Sequence, residues 1–174
     1  MVCAGGGGKS LHLAALMKNK GKIFALDPDP NKLEQLHKRA LRNGVSNIQI
    51  LTTGNKEFYL RHKGEIDAVL IDAPCSGLGV IRRNPAIKWH MNPKKIIELE
   101  QLQKDILNKN APLVKKGGVM VYATCSIFPN ENKLQIADFI NSKEGEAFEL
   151  IKDQTFLSNE SSFDGFYIAK LKKS

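Results

Sequence analysis

"KIFALDPDPNKLEQLHKRALRNGVSNIQIL", residues 22–51, sets the fold class. "KIFALD" (22–27) is a short apolar run that reads as a strand. A helix follows, started by Pro30 or Asn31, with Leu33, Leu36 and Leu41 as its apolar positions and Gly44 as its stop. "IQIL" (48–51) is a second strand. Strand, helix and strand in this order form a βαβ unit, which implies a parallel sheet with helices on its faces.

The pattern continues outward. "IDAVLID" (66–72) is a strong strand, and a loop rich in Pro, Gly and Asn follows it. "PKKIIELEQLQKDILNKNAPLVKKGG" reads as a long helix that Pro112 kinks or interrupts and Gly117–Gly118 close. "VMVYAT" (119–124) is a strand, "NENKLQIADFINS" a helix opening after Pro129, and "GFYIAKLKK" a last strand. There are no repeats, low-complexity segments or linkers, so one domain over 1–174 is expected.

Composition narrows the partners. The 174 residues are 42% hydrophobic and 25% charged, ordinary for a globular protein. No run of about 18 apolar residues occurs and no leader is evident, so neither a membrane span nor secretion is expected. Three cysteines without a C-x-x-C pattern fit neither a disulfide framework nor a zinc site, and a reducing cytoplasm is the simplest setting. His12, His37, His62 and His90 lack metal-ligand spacing and read as surface or packing residues. A net charge of +8 favours a polyanion such as RNA, through phosphate neutralisation and counterion release.

Open α/β sheets bind ligands beyond the carboxyl ends of their strands. Asp27, Asp72, Cys75 and Cys125 all fall at or just past such ends. "CAGGGGKS" (3–10) adds a glycine loop before the helix "KSLHLAALMK". It misses the P-loop pattern because Cys3 stands where the first glycine is needed, and the dinucleotide fingerprint because Ser10 stands where the last one is. Its use is steric, since glycines let a ligand approach backbone N–H groups closely. Asp27, about twenty residues further on, suits the two hydroxyls of a ribose. NAD and S-adenosylmethionine both satisfy this pair of features.

"DAPCSGLGVIRRNPAIKW" (72–89) and "YATCS" (122–126) separate the two. With "CAGGGGK", "ALDPD" and "DGFYIAKL" (164–171), they resemble the Sun/RsmB-like RNA (cytosine-5) methyltransferases, from Cys3 to about Lys173. The likeness is strongest to the bacterial branch acting on 16S ribosomal RNA. It implies a Rossmann-like α/β sheet, mostly parallel, with an antiparallel C-terminal strand and a truncated first strand. It also implies S-adenosylmethionine as cofactor, held by Cys3, Ala4, Gly5, Gly6, Gly7, Gly8, Lys9, Asp27, Asn55 and Asp72. By the same resemblance Cys125 adds to C6 of cytosine, Cys75 assists breakdown of the adduct, and Asp72 contacts N3. Covalent addition makes sense chemically, because C5 is a poor nucleophile until a thiolate at C6 turns it into an enamine carbon. Arg82, Arg83 and Lys88 suit RNA phosphates, and Trp89 and Phe166 can offer stacking surface or fill core.

The sequence departs from the family pattern at three places. Gly6 stands where the loop usually has Pro, which should loosen it. Asn55 replaces an Asp that accepts from the adenine amino group. Met1 falls inside the first central strand, and the family's further N-terminal region is missing from the chain. Low stability and weak RNA affinity are therefore expected, and cooperative unfolding well above about 60 °C would contradict this. A catalytically impaired RNA-binding remnant and an NAD-dependent oxidoreductase are the competing readings, but the second gives the two strand-end cysteines no use.

Overall fold

The computed structural model describes residues 1–157 and 163–174. The chain falls into two compact units, Met1–Arg61 and His62–Ser174.

The first unit contains α1 (Gly8–Leu16), β1 (Ile23–Asp27), α2 (Pro30–Arg42), β2 (Ile48–Thr52) and α3 (Lys56–Arg61). β1 and β2 pair in parallel from Ile23↔Ile48 to Asp27↔Thr52, as the opening stretch predicts. Ahead of α1, Val2 makes a parallel bridge to Leu26. Asp29 caps α2 by accepting from Asn31 N (2.9 Å), and Pro30 takes the first helical position, where its missing N–H costs nothing. Leu33, Leu36 and Ala40 are its buried residues, whereas Leu41 is exposed. Seven residues after Leu33 is closer to two full turns than eight, so Ala40 rather than Leu41 lies on the apolar stripe.

The second unit contains β3 (Ile66–Asp72), α4 (Ile87–His90), α5 (Pro93–Asn110), β4 (Val114–Thr124), α6 (Lys133–Ile140), β5 (Phe148–Phe156) and β6 (Phe166–Lys173). Strand order is β3-β4-β6-β5. β3 and β4 are parallel, and β6 runs antiparallel to both β4 and β5. The fully buried rings of Tyr122 and Tyr167 meet edge to face across β4 and β6, 6.5 Å apart.

Three expectations need correction. The long helix ends at Asn110, and a 3₁₀ turn, Ala111–Leu113, carries Pro112. Proline lacks the N–H that a continuing α-helix requires. Gly117 and Gly118 do not close a helix but lie inside β4, which starts five residues earlier than expected. There the register jumps from Ile66↔Val114 to Ala68↔Val119, so β4 bulges. Gly117 adopts φ +74, and a Cβ on Gly118 would sit 3.0 Å from Asp67 O. The helix after Pro129 is shorter than expected, because Pro129–Glu131 is a 3₁₀ turn and α6 begins only at Lys133. The sequence reading missed β5, and its burial shows why: after Phe148 seven consecutive residues are exposed, leaving no alternation to detect.

Candidate active site

β3 and β4 lie side by side with Asp72 opposite Ala123. Both chains therefore leave the sheet at the same edge, and the loops that follow them carry Cys75 and Cys125. Their Sγ atoms are 3.3 Å apart. That is an S–H···S contact, well beyond the ~2.05 Å of a disulfide. The Cys75 thiol is held well above its ordinary range, first by its hydrogen bond to Cys125 and then by burial. Cys75 thus keeps its proton, and either thiol can be the donor in this contact. A sulfur that receives such a donor is better able to carry thiolate charge.

The serine after each cysteine joins the same centre. Ser76 Oγ and Ser126 Oγ are 3.1 Å apart, and both donate to Oε2 of Glu131, Ser76 at 2.5 Å. Oε1 of Glu131 accepts from Ser76 N (2.8 Å) and from Gln103 Nε2 (3.0 Å) on α5. Gln103 Nε2 also reaches Pro74 O at 2.9 Å. Ser76, Gln103, Ser126 and Glu131 are all buried. A buried carboxylate is tolerated only when its lone pairs are filled, and here four donors fill them.

A third loop, around Gly165, closes onto the first two. Gly79 N donates to Cys125 O (2.9 Å), and Gly165 N donates to Gly79 O (2.8 Å). Next to it Arg83 Nε pairs with Asp164 Oδ2 at 2.6 Å. Arg83, expected at RNA, is thus already engaged with a carboxylate. Arg82 and Lys88 are exposed, and Lys88 Nζ sits 5.1 Å from the centroid of the Trp89 ring. Trp89 is 79% exposed, which removes the core reading left open for it. Phe166 is half-buried and pairs in register with Phe156. The side chain of His90 lies outside the described residues.

In the first unit the glycine loop packs on α2. A Cβ on Gly7 would lie 2.6 Å from Leu36 Cγ, and Gly7 holds φ +88, so only glycine fits. Cys3 and Gly5 also have positive φ. Asp27, 4% exposed at the end of β1, accepts from Gly5 N (2.8 Å) on one oxygen and from Asp29 N (3.0 Å) on the other. Each oxygen retains a lone pair that can serve a hydroxyl. Gly7, as the N-cap of α1, makes no side-chain cap hydrogen bond. Arg39 Nη1 donates to Gly6 O at 2.6 Å. That bond tethers the loop where the family's proline is absent. Asn55 Oδ1 accepts from Phe58 N at 2.9 Å and so caps α3, a role the sequence did not reveal.

Among the described residues no cluster of His, Cys, Asp and Glu can hold a metal ion, and no helix is long and apolar enough to cross a membrane. His62 pairs with Glu65 at 3.0 Å.

Comparison with known proteins agrees with the motifs. The probable ribosomal RNA small subunit methyltransferase B of Synechocystis is 38% identical over 99% of the chain and 42% of its own length. The Bacillus subtilis counterpart is 43% identical over 80% of the chain and 31% of its length. The crystal structure of NSun6 from Pyrococcus horikoshii with SFG matches 99% of the chain, with 27% identity and a TM-score of 0.83, over 46% of its own length. The chain therefore spans about two fifths of such relatives. The family model for the 16S rRNA methyltransferases RsmB/F matches residues 1–172, and with the Rossmann-like α/β architecture and the paired cysteine loops it makes the chain a member of that family.

Proposed function

We propose that the chain is the catalytic region of an RNA (cytosine-5) methyltransferase acting on small-subunit ribosomal RNA. The observation that carries this reading is the 3.3 Å approach of Cys75 Sγ to Cys125 Sγ beside a fully hydrogen-bonded Glu131. A pair of buried structural thiols has no need of that network. S-adenosylmethionine fits the first unit: an acidic pair of acceptors suits its ribose, and the positive end of the α1 dipole suits its carboxylate. The archaeal NSun6 structure contains SFG, an analogue of that molecule. Within that unit Cys3–Lys9, Asp27 and Asn55 are the proposed contacts. When bound, S-adenosylmethionine supplies the methyl group from its sulfonium.

The protein's own residues do the rest. The Cys125 thiolate adds to C6, and the displaced electron pair is taken up at N3, which the Asp72 carboxyl is proposed to contact. C5 then takes the methyl group. Loss of the C5 proton restores the C5–C6 double bond and expels the Cys125 sulfur. Cys75, whose Sγ lies 3.3 Å from Cys125 Sγ, is placed to protonate that departing thiolate. The target base must leave its stack to reach a thiol at a strand end. Arg82, Arg83 and Lys88 are proposed to hold flanking phosphates, with the exposed Trp89 as a stacking surface.

Tritium release tests the chemistry at C5. RNA carrying [5-³H]cytosine, incubated with the chain and S-adenosylmethionine, should release tritium to water in step with methyl incorporation. Methyl incorporation with full tritium retention would place the methyl elsewhere and overturn the reading.

A further inference from the structure

Each catalytic cysteine is followed by a serine, and the reaction as proposed uses neither serine. It also has no use for Glu131, a fully buried carboxylate on the turn Pro129–Glu131. Yet Glu131 touches both cysteine loops. Ser76 donates to it through both its backbone N–H and its hydroxyl, and Ser126 donates its hydroxyl to the same Oε2. Gln103, 0% exposed on α5, fixes the carboxylate from the other side and at the same time holds Pro74, the residue before Cys75. The backbone around it is anchored as well: Tyr122 Oη donates to the Glu131 backbone carbonyl at 2.8 Å, and Asn132 Nδ2 donates to the Ser126 backbone carbonyl at 3.0 Å.

We propose that Glu131 is a positioning residue that sets the spacing of Cys75 and Cys125 by binding the serine next to each. This rests on the catalytic reading above and deepens it. Two loops after different strands, fifty residues apart, have no covalent reason to keep their thiols at 3.3 Å. One carboxylate oxygen shared by both serines supplies that reason, since moving either loop breaks a charge-assisted bond. The spacing matters twice. Before addition it lets Cys75 donate to the attacking sulfur. After addition it keeps Cys75 near the sulfur that must leave.

Two variants that remove one hydroxyl each, Ser76→Ala and Ser126→Ala, are gentler than a change at Glu131. With 5-fluorocytosine RNA and S-adenosylmethionine, each should slow adduct formation at saturating RNA by about ten- to a hundredfold, with RNA affinity unchanged. The double variant should be no slower than Ser126→Ala alone, because that change already cuts the shared tie, whereas Ser76→Ala weakens it and leaves the backbone bond to Glu131. Independent structural effects would multiply instead, and that result would overturn the proposal. A second readout needs neither RNA nor cofactor. The pH midpoint for iodoacetamide alkylation of Cys125 should rise in the folded double variant, because Cys75 no longer donates to its sulfur. Glu131→Gln, if folded, should slow the adduct to the same degree. An unchanged alkylation profile in the double variant refutes the tie. If the parent chain forms no adduct, the catalytic reading fails while the alkylation profile still decides the role of Glu131.

Discussion

Gly79→Ala should be among the most damaging single-methyl changes in the second unit. A Cβ at Gly79 would lie 2.1 Å from Gly165 O, 2.6 Å from Gly165 C and 2.7 Å from Cys125 O. All three are backbone atoms, so no side chain can rotate away, and the loops must part by about 1 Å to restore van der Waals contact. Overpacking of this kind costs about 1–3 kcal/mol. The same movement strains two hydrogen bonds, Gly79 N to Cys125 O and Gly165 N to Gly79 O, at about 1 kcal/mol each. The expected loss is about 3–5 kcal/mol, a large share of a typical 5–15 kcal/mol total. At about 2–4 °C per kcal/mol for a chain of this size, the melting temperature should fall by roughly 6–20 °C. Calorimetry and urea unfolding of the parent and variant measure it directly. A loss below about 1 kcal/mol would mean that the three loops do not meet as described, and the active-site geometry would fall with them.

Gly8→Ala tests the cofactor loop without touching the fold. A Cβ there meets nothing within 4 Å. Stability should hold or rise by up to about 0.5–1 kcal/mol through helix propensity, while S-adenosylmethionine affinity by calorimetric titration falls by about tenfold. Equal affinity would place the cofactor elsewhere. Tyr59 is pushed up to about 12, mainly by burial and further by Cys3 when that thiol is ionised. The folded chain therefore keeps this phenol neutral while the unfolded chain ionises it from about pH 10, so its contribution is present below pH 10 and lost as pH rises to about 12. Absorbance at 295 nm should show late ionisation coinciding with unfolding, and an ordinary midpoint near 10 in the folded chain would contradict this. Arg83→Ala breaks an ion pair between exposed Arg83 and half-buried Asp164, so stability should fall by about 1 kcal/mol. Its RNA affinity should fall and its salt dependence flatten by about one unit, and an unchanged salt slope would remove Arg83 from the RNA contacts.

The parts of this protein that could be read in the sequence are those with a local signal. The βαβ stretch 22–51 has the strand and helix periods, and β1, α2 and β2 fall where those periods place them. Motif spacing likewise brought Asp27, Cys75 and Cys125 to strand ends. What stayed hidden depends on contacts distant in sequence. Gly117–Gly118 look like a helix stop, but their use is a bulge opposite Asp67. β5 shows no alternation because most of its residues face solvent. Glu131 and Gln103 look like ordinary surface residues of helical stretches, and only the folded chain brings them to Ser76. The serines that follow Cys75 and Cys125 were the one available hint, since a repeated Cys-Ser pair asks for a common partner. Asn55 carried a family expectation at the adenine, and its capping of α3 follows only from the backbone geometry.

The central claim is that Cys125 forms the bond to the base and Cys75 does not. Intact-mass analysis after incubation with 5-fluorocytosine RNA and S-adenosylmethionine tests it, because fluorine at C5 blocks the proton loss that frees the enzyme. The account predicts a covalent protein–RNA adduct mapped by peptide sequencing to Cys125, absent in Cys125→Ser and retained or accumulated in Cys75→Ser. An adduct that survives Cys125→Ser and disappears in Cys75→Ser would contradict it.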